Sequence, residues 1–360
     1  MGMEWVRGRV IGSGAFSTVY LATRSSKHDR EDRCFLPRTL AVKSCDGCSD
    51  DASMKLLKDE HGVLTRLGRH PNIVNCYGRS EGNLLLEYAQ LGSLDRAGPI
   101  VPEGVLRRYA RHLLRALGYV HSRGFVHCDV KPQNILLFPG RGGGMVAKLA
   151  DFGLAKRVGS KKGGFRGTPF YVSPEAVNDG KCGPSLDVWA VGCVVAEMVS
   201  GKRALRMRDG ENSWSFMVRI GAGKVVPEAP EELSEEGKDF LSRCWERDPE
   251  NRWTAEMLLR HPFVADCDGD DDCQAIDDDD ERPGASPRCH FEFAELDSFD
   301  CWGSESGAST VESGSSSESE TTSILSDSAL SLGYRDRIQR LPADQMPDWG
   351  EETCSWIEVR

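Results

Sequence analysis

The sequence holds no run of about 18 apolar residues, the length that a membrane-crossing helix needs, so no membrane span is expected. It also lacks a basic flank followed by an apolar segment near Met1, which leaves no sign of an export signal. Val6 stands where an N-myristoylation signal requires Ser or Thr, so acylation of Gly2 is not expected. The 13 cysteines show no framework spacing, and without a secretory context they are expected as reduced thiols in a cytoplasmic and/or nuclear protein. Cys45 and Cys48 form a single C-x-x-C pair, with no second pair at zinc-finger spacing. No nucleic-acid partner is expected.

What is present divides into two parts of opposite charge. The net charge is −11 overall. Residues 265–360 hold about 25 acids against about 6 bases, so they carry roughly −19 while residues 1–264 carry roughly +8. Asp270 to Glu281 is an acid block, and Ser304 to Ser331 is mostly Ser, Glu, Thr and Gly. Such a composition buries too little apolar surface to offset the entropy of ordering. Residues 265–360 are therefore expected to form an acidic, Ser-rich, disordered regulatory tail, open to tail-binding regulators. Within it Arg335, Arg337 and Arg340 lie beside Ile338 and Leu341, a loose match to a docking peptide, with a plain solvated segment as the simpler reading.

Residues 1–264 read as a sheet-rich region followed by a helical one. Val6, Val10 and Ile11, then Val19, Tyr20 and Leu21, alternate as two strands around the turn Gly12-Ser13-Gly14, and Thr39 to Lys43 supplies a third. Leu56, Leu57, Glu60, Val63, Leu64 and Leu67 recur at helical spacing, and short strands are expected at Ile73-Val74 and at Leu84 to Tyr88. From Glu103 onward, Val105, Leu106, Tyr109, Leu113, Leu114, Leu117 and Val120 share one helical face. Leu186 to Ser200 is apolar nearly all round and predicts a buried central helix. Leu233 to Trp245 and Ala255 to Leu259 predict two more.

Chemistry-bearing residues are spread along this region. In Gly12-x-Gly14-x-x-Ser17-x-Val19, glycines let backbone N–H groups approach phosphate oxygens without a Cβ in the way, although a plain hairpin turn uses the same residues. Lys43 ends a strand, and Glu60 on the following helix is placed to pair with it, as an ordinary surface ion pair would also be. His127-Cys128-Asp129-Val130-Lys131-Pro132-Gln133-Asn134 then appears, with Asp151-Phe152-Gly153 beginning 22 residues beyond Asp129, and Ser173-Pro174-Glu175 after that.

With these motifs in this order, residues 4 to 264 resemble the eukaryotic protein kinases. The resemblance implies an α+β, bilobal protein kinase fold: a small antiparallel-sheet N-lobe with one helix over about residues 1–86, a hinge at about 87–92, and a larger, mainly helical C-lobe at about 93–264. It implies transfer of phosphate from ATP with Mg²⁺, Mn²⁺ being an alternative ion. By resemblance Asp129 orients the acceptor hydroxyl and takes its proton, Lys131 steadies the γ-phosphate, and Asn134 and Asp151 hold the metal. Lys43, paired with Glu60, holds the α- and β-phosphates. The nucleotide pocket would comprise Ile11, Gly12, Ser13, Gly14, Ala15, Phe16, Ser17, Val19, Ala41, Lys43, Leu86, Glu87, Ala89 and Leu136. Ser160 and Thr168 fall in the activation segment, Glu175 and Arg252 resemble the ion pair that anchors it, and Asp187 resembles the carboxylate that braces the catalytic loop.

Lys131 together with Gly167-Thr168-Pro169 resembles kinases that modify Ser and Thr. Trp5-x-x-Gly8-x-x-Ile11-Gly12 and Gly167 to Glu175 resemble plant mitogen-activated protein kinase kinase kinases of the MEKK-like group, which implies a mitogen-activated protein kinase kinase as substrate. Another Ste-type Ser/Thr kinase tier and a pseudokinase scaffold are the alternatives. Cys128 departs from the family pattern, in which Arg pairs with a phosphate on the activation segment. The expectation is an activity less dependent on phosphorylation at Ser160 or Thr168.

Overall fold

The first 87 residues contribute a five-stranded antiparallel sheet, in which the strands at Thr39–Ser44 and Asn83–Glu87 are buried nearly throughout. In the computed structural model it consists of β1 (Trp5–Ser13), β2 (Thr18–Arg24), β3 (Thr39–Ser44), β4 (Cys76–Ser80) and β5 (Asn83–Glu87), in the order β1-β2-β3-β5-β4. The structure describes residues 5–14, 17–24, 37–45, 51–80, 82–98, 100–140, 143–160, 167–180 and 182–265, all within one compact unit. Ala15 and Phe16, Cys48, and every reading placed on the tail beyond Ala265 lie outside the described residues.

The two faces of β3 do different work because successive side chains point to opposite sides of a strand. Leu40 and Val42 join Ala22 and Leu85 in a small outer cluster roofed by Trp5 and Tyr77. Ala41 faces the main core, with Lys43 on the same side of the strand. That side is covered by α1 (Asp51–Leu67), whose Leu57, Val63, Leu64 and Leu67 are buried at three- and four-residue spacing.

The helical region is built on α2 (Glu103–Ser122) and α4 (Pro184–Ser200). The α2 face predicted from the sequence is the buried one, from Leu106 and Tyr109 through Leu117 to Val120. In α4 every residue from Leu186 to Ala196 is buried, and Gly201 ends the helix in the left-handed region at φ 64°. Around this pair pack α3 (Pro174–Asp179), α5 (Ser213–Gly221), α6 (Glu235–Cys244), α7 (Ala255–Leu258) and α8 (Pro262–Ala265). Between α2 and α3 run β6 (Phe125–Val126), β7 (Ile135–Pro139), β8 (Met145–Leu149) and β9 (Lys156–Arg157); β7 pairs with β8 and β6 with β9.

Several expectations need correction. Gly12 and Ser13 belong to β1, opposite Val19 and Thr18, and the chain reverses only at Gly14, whose N–H donates to the Ser17 carbonyl at 2.9 Å. Ile73-Val74 is no strand: Ile73 makes only an isolated bridge with Leu149. The helix expected from Leu233 starts at Glu235, since the Ser234 side chain accepts from the Gly237 N–H (3.1 Å) and caps it. Helix α5 and the β7–β8 hairpin had no counterpart in the sequence reading. Among the described residues no helix is long and apolar enough to cross a membrane.

Candidate active site

The cleft between sheet and helices is assembled from four pieces of chain. From above comes Lys43, with its Nζ 2.7 Å from Glu60 Oε2 on α1 and 2.9 Å from Asp151 Oδ1. Glu60 Oε1 also accepts the Phe152 N–H at 3.2 Å, so one buried carboxylate ties the helix to the strand and to the loop after β8. Asp151 adopts φ 62°, a left-handed conformation uncommon for a residue with a Cβ. Gly153 follows because a Cβ there would lie 3.2 Å from Asp151 Oδ1 and 3.6 Å from Glu60 Oε2.

Burial and charge act in opposite directions within this trio. Burial alone pushes Lys43 down, but the carboxylates of Asp151 and Glu60 outweigh it and hold the ammonium above its ordinary range. Burial pushes Asp151 up, and Lys43 more than reverses that, holding the carboxyl at about 2. In Glu60 burial prevails over Lys43 and raises the carboxyl. One ammonium faces two carboxylates, so with all three ionised the cluster carries a net negative charge that suits a cation.

From below comes the catalytic loop. Asn134 Nδ2 donates to Asp129 Oδ2 at 2.9 Å and to the Asp129 carbonyl at 2.8 Å, which commits the amide nitrogen and makes the amide oxygen the atom left to offer a metal. The Ala150 N–H donates to the Asn134 carbonyl at 2.9 Å, so Asn134 and Asp151 start from adjoining backbone. Two hard oxygen donors match the chemistry of Mg²⁺. Lys131 Nζ lies 2.8 Å from Asp129 Oδ2 and donates to Thr168 Oγ1 at 3.0 Å, while the Thr168 hydroxyl donates to Asp129 Oδ1 at 2.8 Å.

The loop is held in place by buried groups. Asp187 on α4, fully buried, accepts from the backbone N–H groups of His127 (2.8 Å) and Cys128 (2.9 Å) and pairs with His121 Nε2 (2.8 Å). Cys128 sits at φ 70°, the second non-glycine with positive φ among the described residues, and the Asp187 contacts hold it there. His127 Nδ1 accepts the Asp129 N–H, which leaves Nε2–H to donate to the Ala150 carbonyl at 3.0 Å. Its ring meets Phe152 edge-on at 4.7 Å between centroids. The activation segment is fastened by Arg252, whose guanidinium grips both oxygens of Glu175 at 2.6 and 3.1 Å.

Ile11, Val19, Ala41 and Leu86 pack into the main core along the sheet side. Leu136 lies opposite, bridged to Ser93, where the Leu137 N–H donates to the Gly92 carbonyl at 2.8 Å. Glu87 and Ala89 lie between the two regions; Lys148 Nζ fixes the Glu87 carboxylate at 2.6 Å, a pair that the sequence reading missed. The Thr168 hydroxyl is occupied by Asp129 and Lys131, whereas Ser160 is exposed.

The protein kinase domain family matches residues 5–264. Mitogen-activated protein kinase kinase kinase 20 of Arabidopsis thaliana is 42% identical over 382 residues, covering 99% of this chain and 100% of the relative. Mitogen-activated protein kinase kinase kinase 17 of the same plant is 39% identical, covering 73% of this chain and 70% of its own, and mitogen-activated protein kinase kinase kinase YODA is 38% identical over 73% of this chain and 29% of its own. The chain belongs to the protein kinase family, and within it to the Ser/Thr kinases of the mitogen-activated protein kinase kinase kinase type.

Proposed function

We propose that this cleft transfers the γ-phosphoryl group of ATP, with Mg²⁺ as the working ion, to a Ser or Thr hydroxyl of a mitogen-activated protein kinase kinase. The observation that carries the proposal is the convergence of Lys43, Asp151, Asn134 and Asp129 on one cleft, with each side chain held by a named partner. Asn134 and Asp151 would hold the cation, which would supply charge neutralisation at the phosphate oxygens. Lys43, oriented by Glu60, takes the α- and β-phosphates. Asp129, its carboxylate aligned by Asn134, Lys131 and Thr168, orients the acceptor hydroxyl and takes its proton, and Lys131 balances charge at the γ-phosphate. Phosphoryl transfer asks mainly for alignment and charge neutralisation, and a constellation assembled before substrate arrives supplies both. Val19, Ala41 and Leu136 clasp the adenine, and the backbone at Glu87 and Ala89 reads its edge. The substrate class rests on the names of the relatives, all of them kinases of the third tier.

The test is transfer of radiolabel from MgATP to a catalytically inactive mitogen-activated protein kinase kinase by the purified full-length chain. Lys43→Met and Asp129→Asn should each reduce the rate at least about a hundredfold. Transfer that survives Lys43→Met unchanged, or no transfer by the wild type to any protein acceptor, refutes the assignment.

A further inference from the structure

Helix α8 ends against a row of arginines. Along α2, Arg108, Arg111 and Arg115 recur at three- and four-residue spacing, so they share one face, half-buried and outside the buried face that runs from Leu106 to Val120. At the near end Arg111 Nη1 donates to the Val264 carbonyl at 2.9 Å and Arg107 Nη1 to the Phe263 carbonyl at 3.4 Å, with the Arg107 guanidinium 4.7 Å from the centre of the Phe263 ring. Arg107 is already committed to Glu103 and Glu236, at 2.7 and 2.8 Å. At the far end Arg123 lies over the Tyr119 ring at 5.0 Å, and His70 stacks on the same ring at 4.7 Å. Burial together with Arg115, Arg108 and Arg111 pushes His112 down, and burial together with Arg115 pushes His70 down, so the positive field of the row reaches rings along its length.

The Val264 contact brings the end of α8 to this row, and the sequence that follows is dense in negative charge. Asp266 to Glu281 holds ten acids and no Lys or Arg. Asp266, Asp268, Asp270 and Asp272 stand at every second position, so in extended chain they fall on one side and repeat about every 6.6 Å. Residues four apart on a helix, such as Arg107, Arg111 and Arg115, repeat about every 6 Å, so the two spacings nearly match. From Arg111 to Arg123 the helix advances about 18 Å, a distance that about six residues of extended chain cover.

We infer that the arginine row of α2 is a docking surface for the chain's own acidic segment, Asp266 to Glu281, which runs extended along the helix from Ala265 toward Arg123. Each carboxylate–guanidinium pair is weak at a surface and screened by salt. Covalent continuity changes the balance: the segment is joined to the domain at Ala265, so it meets the row at the high effective concentration of a short tether rather than by diffusion. That advantage belongs to this segment and not to an acidic peptide of another protein or to a second copy of the chain. With the row filled, the outer face of α2 is closed to other acidic partners until the segment is displaced.

The experiment is phenylglyoxal labelling of arginine in the purified full chain at low ionic strength, read by peptide mass mapping. The comparison is a variant that combines Asp266→Asn, Asp268→Asn, Asp270→Asn and Asp272→Asn. Arg108, Arg111 and Arg115 should be labelled at least about fivefold faster in the variant. Raising NaCl to about 1 M, where the screening length is about 3 Å, should speed their labelling in wild type and leave the variant unchanged. Arg206 and Arg208, exposed between α4 and α5, are the reference and should react alike in every sample. Equal labelling of the α2 arginines in wild type and variant overturns the inference. So does a change at Arg206 and Arg208 in their place, which puts the segment elsewhere, and so does protection that fades on dilution of the protein, which assigns the row to a second copy. The salt comparison in wild type stands even if the variant does not fold. Labelling needs no phosphate transfer, so this inference and the kinase assignment fail separately.

Discussion

Replacing Glu175 by Gln removes the charge facing Arg252 but keeps a carbonyl oxygen within reach of the guanidinium. Arg252 would still hold the Ser185 carbonyl at 2.8 Å and the Glu246 carbonyl at 2.8 Å, and would still lie over the Trp189 ring at 5.0 Å. Breaking a buried pair by removing one partner costs about 3–5 kcal/mol, and these remaining contacts put Glu175→Gln near the lower figure. Arg252→Met is different. It strands the Glu175 carboxylate, 8% exposed, and takes the donor from both carbonyls, each a charge-assisted bond of about 1.5–3 kcal/mol. A loss of about 5 kcal/mol or more is expected, a large part of the roughly 5–15 kcal/mol that holds a domain folded. At about 2–4 °C per kcal/mol, Glu175→Gln should lower the melting temperature by roughly 6–12 °C and Arg252→Met by more. Urea titration and calorimetry of both variants measure the asymmetry. Equal losses, a larger loss for Glu175→Gln, or losses below about 1 kcal/mol in both would refute the reasoning.

Three further outcomes follow from the site. Thr168→Val removes the hydroxyl shared by Asp129 and Lys131, so kcat should fall roughly 10- to 100-fold with little change in KM for ATP, while Thr168→Ser should stay close to wild type; steady-state kinetics decide. His112 is buried, accepts the Ala147 N–H at 3.2 Å, and is pushed down to about 4 by burial and by Arg115, Arg108 and Arg111. The unfolded chain therefore binds more protons between about pH 6.5 and 4, so this group's contribution is whole above pH 6.5 and declines by roughly 3 kcal/mol as the pH falls to 4. His112→Gln should lose that slope when urea midpoints at pH 7 and 4.5 are compared with wild type. Phosphatase treatment of the purified enzyme should cost less than about threefold in activity, because Cys128 supplies no cation for a phosphate on the activation segment; near-complete loss refutes this.

Much of the cleft was legible because its parts obey local rules. Lys43 could be placed by the period of two in β3, and Glu60 by the helical period from Leu57 to Leu64, which brings both to the side of the sheet facing the core. Asp129, Asn134 and Asp151 could be read from a motif whose spacing reflects the loop and the β7–β8 hairpin between them. Contacts set by tertiary packing were not legible. Thr168 lies 39 residues from Asp129, and nothing beside it announces that its hydroxyl is consumed in the active site. Lys148 reaches Glu87 across 61 residues, and Lys156 reaches the Cys182 sulfur across 26. The displaced turn at Gly14 has another cause: glycine permits a reversal but does not say at which of two glycines it occurs.

Cys128 shows how a departure from the family pattern is absorbed. Its φ of 70° and its N–H bond to Asp187 are properties of the backbone, so they survive a change of side chain. What an arginine would add there is a positive charge, which Cys128 does not supply. Meanwhile the activation segment is gripped at Thr168 by Asp129 and Lys131, at Tyr171 by Glu197 through a 2.6 Å hydrogen bond, and at Glu175 by Arg252. None of these ties needs a phosphate. A segment already fastened at three points has little to gain from phosphorylation.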